Sequence, residues 1–191
     1  HTTGIAMKKL FFSIMLAAAA MPTAWAQNHE VFRPPQIELE KPEGYLCCNM
    51  RSAGGWISDI NYEEDGAQML PLGTQLKVTR YGRYRAYVEI EGKKQALGND
   101  YSRDLPLDIF AKRYVVKDNP LDRLVTFSEP IQRAIRAIKV TRGMTREQVL
   151  MAVGYPSTYD TPKLDATPWK MYWNRTQYLI HWSGGKVSRI E

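Results

Sequence analysis

The sequence has few of the residues that build covalent frameworks and metal centres. Its 191 residues include two cysteines and three histidines, which excludes a disulfide-dense miniprotein and leaves few zinc ligands. It contains no H-E-x-x-H, G-x-S-x-G or Walker phosphate-binding motif. We therefore expect a protein that is not an enzyme and that binds no cofactor or metal.

The sequence also lacks an apolar run long enough to cross ~30 Å of hydrocarbon as a helix. The longest run, residues 10–21, follows Met7-Lys8-Lys9 and precedes Ala24-Trp25-Ala26. A positive start, a short apolar stretch and an A-x-A end are typical of a secretory signal peptide. We predict an upstream remnant at residues 1–6, a cleaved signal peptide at 7–26, and a periplasmic or secreted protein without a transmembrane span.

Neither strong charge nor strong compositional bias is present. Apolar residues make up 44% and charged residues 24%, which excludes a mainly disordered or collagen-like chain. The net charge of +6 is spread along the sequence, and no basic helix or aromatic RNA-binding motif occurs. We therefore expect no nucleic-acid partner, whereas acidic partners or anionic surfaces remain open. No cysteine stands at the cleavage point, so we expect no lipid anchor.

The two cysteines, Cys47 and Cys48, are neighbours, and two interpretations remain open. An oxidising compartment favours a disulfide. A trans peptide, however, holds neighbouring Cα atoms about 3.8 Å apart, below the usual range of roughly 4.4–6.8 Å for disulfides. The alternative is two thiols on opposite faces of a strand. A bridge would make the pair a candidate redox site.

The first half of the mature chain has the pattern of a small β domain. Residues 27–42 are polar, contain Pro34-Pro35 and predict an extended leader. Residues 43–104 contain about five short strands separated by glycine turns, with alternation in Leu76, Val78 and Arg80, and they predict a small antiparallel barrel. Residues 105–127 predict a connector.

The order of these strands resembles a bacterial SH3-like barrel, with a long acidic-tipped loop, Gly73-Thr74 before a strand, and then a tight hairpin. The resemblance implies binding of peptide or cell-wall material. Exposed aromatic residues would supply the contacts, and the alternative is that most of them fill a small core. The predicted contacts are Trp56, Tyr62, Tyr84 and Tyr101.

The last part of the chain carries sharper helix signals. Ser128 can cap a helix with Pro130 in its first turn, and an apolar stripe follows through residue 138. Thr145-Arg146-Glu147-Gln148 predicts a capping box, and Gly154 predicts the end of that second helix. Three strands are predicted next, at residues 169–173, 177–182 and 186–190.

Residues 128–191 resemble the SmpA/OmlA (BamE-like) family. The resemblance lies in Gly143-Met144-Thr145, in Gly154-Tyr155-Pro156, and in Trp169-Lys170-Met171-Tyr172, which is one residue longer than the family's W-x-Y pattern. It implies an α-α-β-β-β module, also seen in β-lactamase-inhibitor-like proteins, and a role in outer-membrane assembly or maintenance. The motif residues cap the helix, end it and pack it on the sheet, and none of them is chemically reactive.

Together these patterns predict an α+β protein of the cell envelope, with an SH3-like barrel followed by a two-helix, three-stranded module. We expect it to bind another protein or an envelope polymer without catalysing a reaction. In the second module, exposed aromatic and arginine side chains are the favoured contacts: Trp173, Arg175, Tyr178 and Trp182. The alternative function is a thiol or redox role for Cys47 and Cys48. The sequence leaves the oligomeric state open.

Overall fold

The structure, a computed structural model, describes residues 38–191. The predicted upstream remnant, the signal peptide and leader residues 27–37 lie outside the described residues. The described chain contains helices and sheets, and the α+β class is confirmed. No helix of this part is long and apolar enough to cross a membrane.

The elements fall into two groups along the chain. The first comprises β1 (Glu43–Leu46), β2 (Met50–Ser52), β3 (Trp56–Ser58), β4 (Gln68–Leu70), β5 (Gln75–Tyr81), β6 (Arg85–Ile90), β7 (Lys93–Gly98), α1 (Leu107–Tyr114) and β8 (Val115–Val116). The second comprises α2 (Pro120–Leu124), α3 (Glu129–Arg136), α4 (Arg146–Val153), β9 (Trp169–Trp173), β10 (Thr176–Ser183) and β11 (Lys186–Ile190).

The first group forms a six-stranded sheet in the order β3-β7-β6-β5-β1-β8, beside a separate β2-β4 pair. The expectation of a purely antiparallel barrel is wrong at one edge, because β3 pairs parallel with β7. Cys47 and Cys48 form a bend between β1 and β2, so the two cysteines do not lie within a strand.

The expected connector, residues 105–127, contains secondary structure. Pro106 and Pro120 stand at or next to the first residues of α1 and α2, where a missing amide proton costs nothing. Asn119 caps α2 by accepting a hydrogen bond from the Leu121 amide at 3.0 Å. Phe110 and Tyr114 of α1 are buried in the core of the first sheet, and β8 pairs with β1. The first part of this segment therefore packs on the first sheet, whereas Leu124 of α2 belongs to the core of the second group.

A β-bulge in β5 changes the side on which Arg80 lies. Val78 pairs with Val88, but Arg80 rather than Thr79 pairs with Tyr87, so the register shifts by one residue. The predicted alternation of Leu76, Val78 and Arg80 therefore fails at its last member. Arg80 is exposed, while Leu76 and Val78 remain buried.

The second group follows the predicted order. The capping box at α4 is confirmed, because the Gln148 amide donates to Thr145 Oγ1 at 3.3 Å and the Thr145 amide donates to Gln148 Oε1 at 2.9 Å. Ser128 precedes α3 as predicted but makes no side-chain cap. Gly154 ends α4 at φ 85° and ψ −170°, a region open almost only to glycine. The three predicted strands are present as β9, β10 and β11.

Two buried asparagines connect the hydrophobic core of the first sheet with that of the second group. Asn49 Nδ2 donates to the carbonyls of Ile135 and Ala152 at 2.8 and 3.3 Å. Its Oδ1 accepts from the Leu72 amide at 3.1 Å. Asn61 Nδ2 donates to the carbonyls of Asn49 and Val153 at 2.9 and 3.0 Å. Helices α3 and α4 thus end against β2 and the segment before it.

Replacing Asn49 with alanine should strongly destabilise the fold. The change would leave the Leu72 amide and the Ala152 carbonyl without partners in a buried site and would remove one of the donors to the Ile135 carbonyl. We expect a loss of roughly 3 to 5 kcal/mol in the free energy of unfolding. Urea unfolding followed by circular dichroism measures it. The exposed Gln75→Ala change on β5 is the control and should cost about 0.5 kcal/mol or less. Equal costs for the two variants would contradict the assigned role of Asn49.

Candidate functional site

Two loops form an open groove with exposed tyrosines on its rim. One loop follows β7, and the other follows α4. Tyr159 is 82% exposed and Tyr101 is 48% exposed. The hollow measures about 760 Å³. We call it the tyrosine groove, and its lining residues are Asp100, Tyr101, Arg103, Asp104, Thr158, Tyr159 and Pro162.

Hydrogen bonds between the two loops hold the groove in shape. The Tyr159 amide donates to the Tyr101 carbonyl at 3.1 Å, and the Thr158 amide donates to Ser102 Oγ at 3.2 Å. Thr158 Oγ1 also donates to the Asp104 carboxylate. Ser102 and Thr158 are buried, so the loops meet through satisfied polar groups beneath the exposed rings. The two tyrosines are therefore carried by one hydrogen-bonded unit.

A second, smaller hollow of about 200 Å³ adjoins the tyrosine groove and shares Tyr101 and Tyr159 with it. Asp160, Lys170 and Tyr172 line its far side. Lys170 Nζ lies 2.8 Å from Asp160 Oδ1, and this hydrogen bond raises the pKa of the Lys170 ammonium group. The hollow thus offers an ion pair and a phenol beside two exposed rings.

Asp59 lies beneath the loop that carries Tyr101. Its Oδ2 accepts a hydrogen bond from the Tyr101 amide at 3.0 Å, while its Oδ1 has no partner within the described chain. The side chain is buried, and burial raises the pKa of Asp59 from 3.8 to about 6. Burial also raises the pKa of Tyr114, whose hydroxyl donates to the Asp59 carbonyl. Asp59 holds the loop and does not line the groove.

Beside the groove, the outer side of the first sheet carries aromatic rings covered by arginines. The Arg80 guanidinium carbon lies 3.4 Å from the centre of the Tyr87 ring, and that of Arg85 lies 4.7 Å from the Trp56 ring. Arg103, from the groove loop, lies 4.4 Å from the Tyr84 ring. We call this surface the arginine–aromatic face, and its residues are Trp56, Arg80, Tyr84, Arg85 and Tyr87. It meets the tyrosine groove at Arg103.

Of the four contact residues predicted within residues 43–104, three lie close together in the structure. Trp56, Tyr84 and Tyr101 surround the end of β7 and the loop after it, because the Trp56 ring lies against Gly98 and the Asn99 amide donates to the Tyr84 carbonyl. Tyr62 is exposed but lies elsewhere. It is near Arg175, whose pKa is raised by its ion pair with Asp65 and further by Glu63 and Tyr62.

In the second part, two of the four predicted contacts are wrong. Trp173 and Trp182 are 4% and 9% exposed and belong to the hydrophobic core. They lie on the side of β9 and β10 that the core covers, so their size contributes to packing rather than to contact with a partner. Tyr178 is half-buried, and its ring is stacked on Trp173 at 3.7 Å. Arg175 is exposed.

Sequence reasoning missed Tyr159, the most exposed aromatic ring of the groove. It lies in the polar loop after Gly154-Tyr155-Pro156, where no periodic pattern marks one side. The one available signal was its position between Thr158 and Asp160, a polar setting in which a large ring is seldom core. Arg103 was also missed, because its role depends on the contact with Tyr84.

Cys47 and Cys48 are joined by a disulfide in the structure, so of the two open interpretations the bridge is the one present. Cys48 is fully buried, Cys47 is half-buried, and the Cys47 amide donates to the Tyr114 carbonyl at 2.9 Å. Within residues 38–191, no group of three or more His, Cys, Asp and Glu side chains is placed to hold a metal ion.

Searches against protein-family models, curated proteins and solved structures found no match to the chain. The function can therefore be inferred only from the chemistry of the groove and of the arginine–aromatic face.

Asp59→Asn should remove a pH dependence of stability. Because the pKa is raised in the folded state, the stabilising contribution of protonated Asp59 is complete below about pH 4 and is lost as the pH rises through about 6. The free energy of unfolding of the variant, minus that of the wild type, should increase by up to about 3 kcal/mol between pH 4 and pH 7. Urea unfolding at both pH values measures this difference. A constant difference would contradict the burial of an ionisable Asp59.

Proposed function

We propose that this protein is a non-enzymatic periplasmic protein of the cell envelope, and that the tyrosine groove binds an envelope polymer. The observation that carries the proposal is the pair of exposed rings, Tyr101 and Tyr159, on loops that are held together by buried hydrogen bonds. An exposed ring on a fixed loop can bind a ligand without first losing much conformational freedom. Tyrosine is also enriched at binding surfaces.

The groove favours a ligand with both apolar and hydroxyl-bearing faces. The tyrosine rings offer apolar faces, and Asp100, Asp104 and Arg103 offer acceptors and donors at the edge. A sugar ring presents C–H groups on its faces and hydroxyl groups around its rim, and it fits this combination. We therefore favour a glycan-containing polymer over a folded protein, the other partner class expected from the sequence.

The finer fold assignment supports the same proposal. The six-stranded sheet is compatible with an SH3-like barrel, and the order α3-α4-β9-β10-β11 is compatible with the α-α-β-β-β module that the SmpA/OmlA resemblance implies. Both resemblances imply envelope proteins that act by binding, with outer-membrane assembly or maintenance as the wider role. The signal-peptide pattern supports a periplasmic location.

Replacing both groove tyrosines should strongly weaken binding to cell-wall polymer. We expect the wild-type protein to sediment with purified bacterial sacculi and the Tyr101→Ala/Tyr159→Ala variant to lose about tenfold or more in affinity, because aromatic anchors carry much of the energy of an interface. The bound fraction at increasing sacculus concentration measures it. Tyr62→Ala is the matched control, since it removes an exposed tyrosine outside the groove.

Protease treatment of the sacculi separates the two partner classes. If binding survives the treatment, the ligand is the polymer. If binding disappears, the ligand is an attached protein and the polymer assignment is wrong. Equal binding by the wild type and the double tyrosine variant would exclude the groove as the site.

A second candidate function is favoured by the disulfide between Cys47 and Cys48. A dithiol reductant would pass two electrons and two protons to the bridge, forming two thiols and its own disulfide. The bridge directly precedes Asn49, whose side chain connects the two cores. Reduction would therefore release a constraint next to that connection.

Thiol titration tests the redox candidate. The denatured protein should show no reactive thiol before reduction and two afterwards. If the reduced and oxidised proteins unfold at the same urea concentration, and if Cys47→Ser/Cys48→Ser behaves like the reduced protein, the bridge has no influence on the fold. That result would leave the redox candidate without its structural basis.

A further inference from the structure

We propose that the arginine–aromatic face is a second binding site, which takes a flexible chain carrying phosphate groups. The face consists of Trp56, Arg80, Tyr84, Arg85 and Tyr87, as described above. It is the outer side of the first sheet and differs from the tyrosine groove in both residues and charge. The proposal does not depend on the function proposed for the groove.

The face is built across four strands. Trp56 on β3 pairs with Ala96 on β7, Ala96 pairs with Tyr87 on β6, and Tyr87 pairs with Arg80 on β5. At a strand spacing of about 4.8 Å, this row spans roughly 14 Å. Ala96 lies between the two rings and is 7% exposed, so neighbouring side chains cover it. The aromatic and arginine side chains of the row therefore form the surface that a ligand would meet.

Next to this row, Gly98 gives the Trp56 ring its place. A Cβ atom at residue 98 would collide with Cζ2 of Trp56, so the indole can rest there only against a glycine. The same Cβ atom would lie 2.7 Å from Oδ2 of Asp100, so the Asp100 carboxylate is also close to this end of the row. Arg85 pairs with Gly98 across the β6–β7 ladder, and its guanidinium group lies over the same indole. Arg85 is thus held at the edge of the row by the ring of another strand.

Stacking positions the arginines for anion binding. A guanidinium group that lies on a ring keeps its five N–H donors at the edge of its plane, where they remain free to reach a ligand. The Arg80 group lies 3.4 Å from the Tyr87 ring centre, close enough for direct stacking. An arginine that is already oriented loses less entropy when it binds an anion.

The two arginines of the face have no ion-pair partner in the described chain. Among residues 38–191, neither Arg80 nor Arg85 forms an ion pair, although eight other lysine and arginine side chains in that part of the chain do. The Asp100 carboxylate lies near Gly98 but is not paired with Arg85. Glu89 is the acidic residue on the outward side of β6, and it pairs with Lys77 at 3.1 Å. The two arginines therefore retain their full charge for an external ligand.

A phosphate-bearing chain fits these features better than a bilayer does. Within the described chain, the exposed large apolar side chains do not lie on β3, β5, β6 or β7, so the face offers nothing to insert between lipids. Phosphate also accepts hydrogen bonds on several tetrahedral oxygens, so it can bind two arginines that lie on different strands without sharing their plane. A planar carboxylate is more restricted.

Long-chain inorganic polyphosphate is the probe, because it carries phosphate without sugar, base or lipid. We expect fluorescently labelled polyphosphate to bind the full chain, with an affinity that falls as salt rises. Arg80→Gln/Arg85→Gln should weaken binding about tenfold or more. Arg80→Lys/Arg85→Lys keeps the charge but loses the planar stacking group, and it should give an intermediate loss.

Two comparisons make the result decisive. Arg136→Gln/Arg142→Gln removes the same charge from exposed positions in the second group, and it should change the affinity by about twofold or less. An equal loss in that control would show that only net charge matters and would overturn the proposal. The Tyr101→Ala/Tyr159→Ala variant should bind polyphosphate normally, which separates failure of this site from failure of the groove. Circular dichroism confirms that each variant is folded.

Two further polyanions test the ligand class. Polyglutamate of matched charge should bind more weakly than polyphosphate, and equal binding would overturn the phosphate assignment. Single-stranded DNA should bind no more tightly than polyphosphate at equal charge. Much tighter binding of DNA would show that the arginines or rings stack on bases, and it would replace the proposed ligand with nucleic acid.

Discussion

The arrangement of this protein depends on two buried asparagine side chains that satisfy backbone groups of both halves. The Asn49 side chain donates hydrogen bonds to carbonyls at the ends of α3 and α4, and the Asn61 side chain donates to the carbonyls of Val153 and Asn49. Asn61 has φ 52°, a left-handed conformation that asparagine tolerates better than most residues. Helix ends leave carbonyls without partners, and here side chains from the other half supply the donors. Hydrophobic contact alone would not fix this orientation, because it has no direction.

The surfaces follow from that arrangement and from one irregularity in the first sheet. The β5 bulge turns Arg80 from the core side to the outer side, where it covers Tyr87. An arginine at that position in an unbroken strand would have faced the core among Leu76 and Val78. The same bulge therefore removes a buried charge and builds half of the arginine–aromatic face.

How much the sequence could predict depended on whether the signal was local. The capping box at Thr145 and the stop at Gly154 are local patterns with a physical cause, and both were found. Trp173 and Trp182 were misplaced because aromatic side chains suit an interface and a core equally well, and only the packing of α3 and α4 on the sheet decides between them. The roles of Asn49 and Asn61 arise from partners 86 and 92 residues away, which no spacing rule reveals. Arg103 was missed because its role depends on the contact with Tyr84, and Tyr159 was missed because it lies in a loop without a periodic pattern.

The loop after β7 connects both proposed sites, and Asp59 explains how that loop keeps its shape. Tyr101 in this loop lines the tyrosine groove, and Arg103 reaches Tyr84 beside the arginine–aromatic face. The amide of Tyr101 is fixed by a carboxyl group that is buried at a cost, as its raised pKa indicates. An asparagine could accept the same hydrogen bond without that cost. Ionisation of Asp59 would therefore weaken the folded state directly beneath the loop whose residues we propose to contact the ligand.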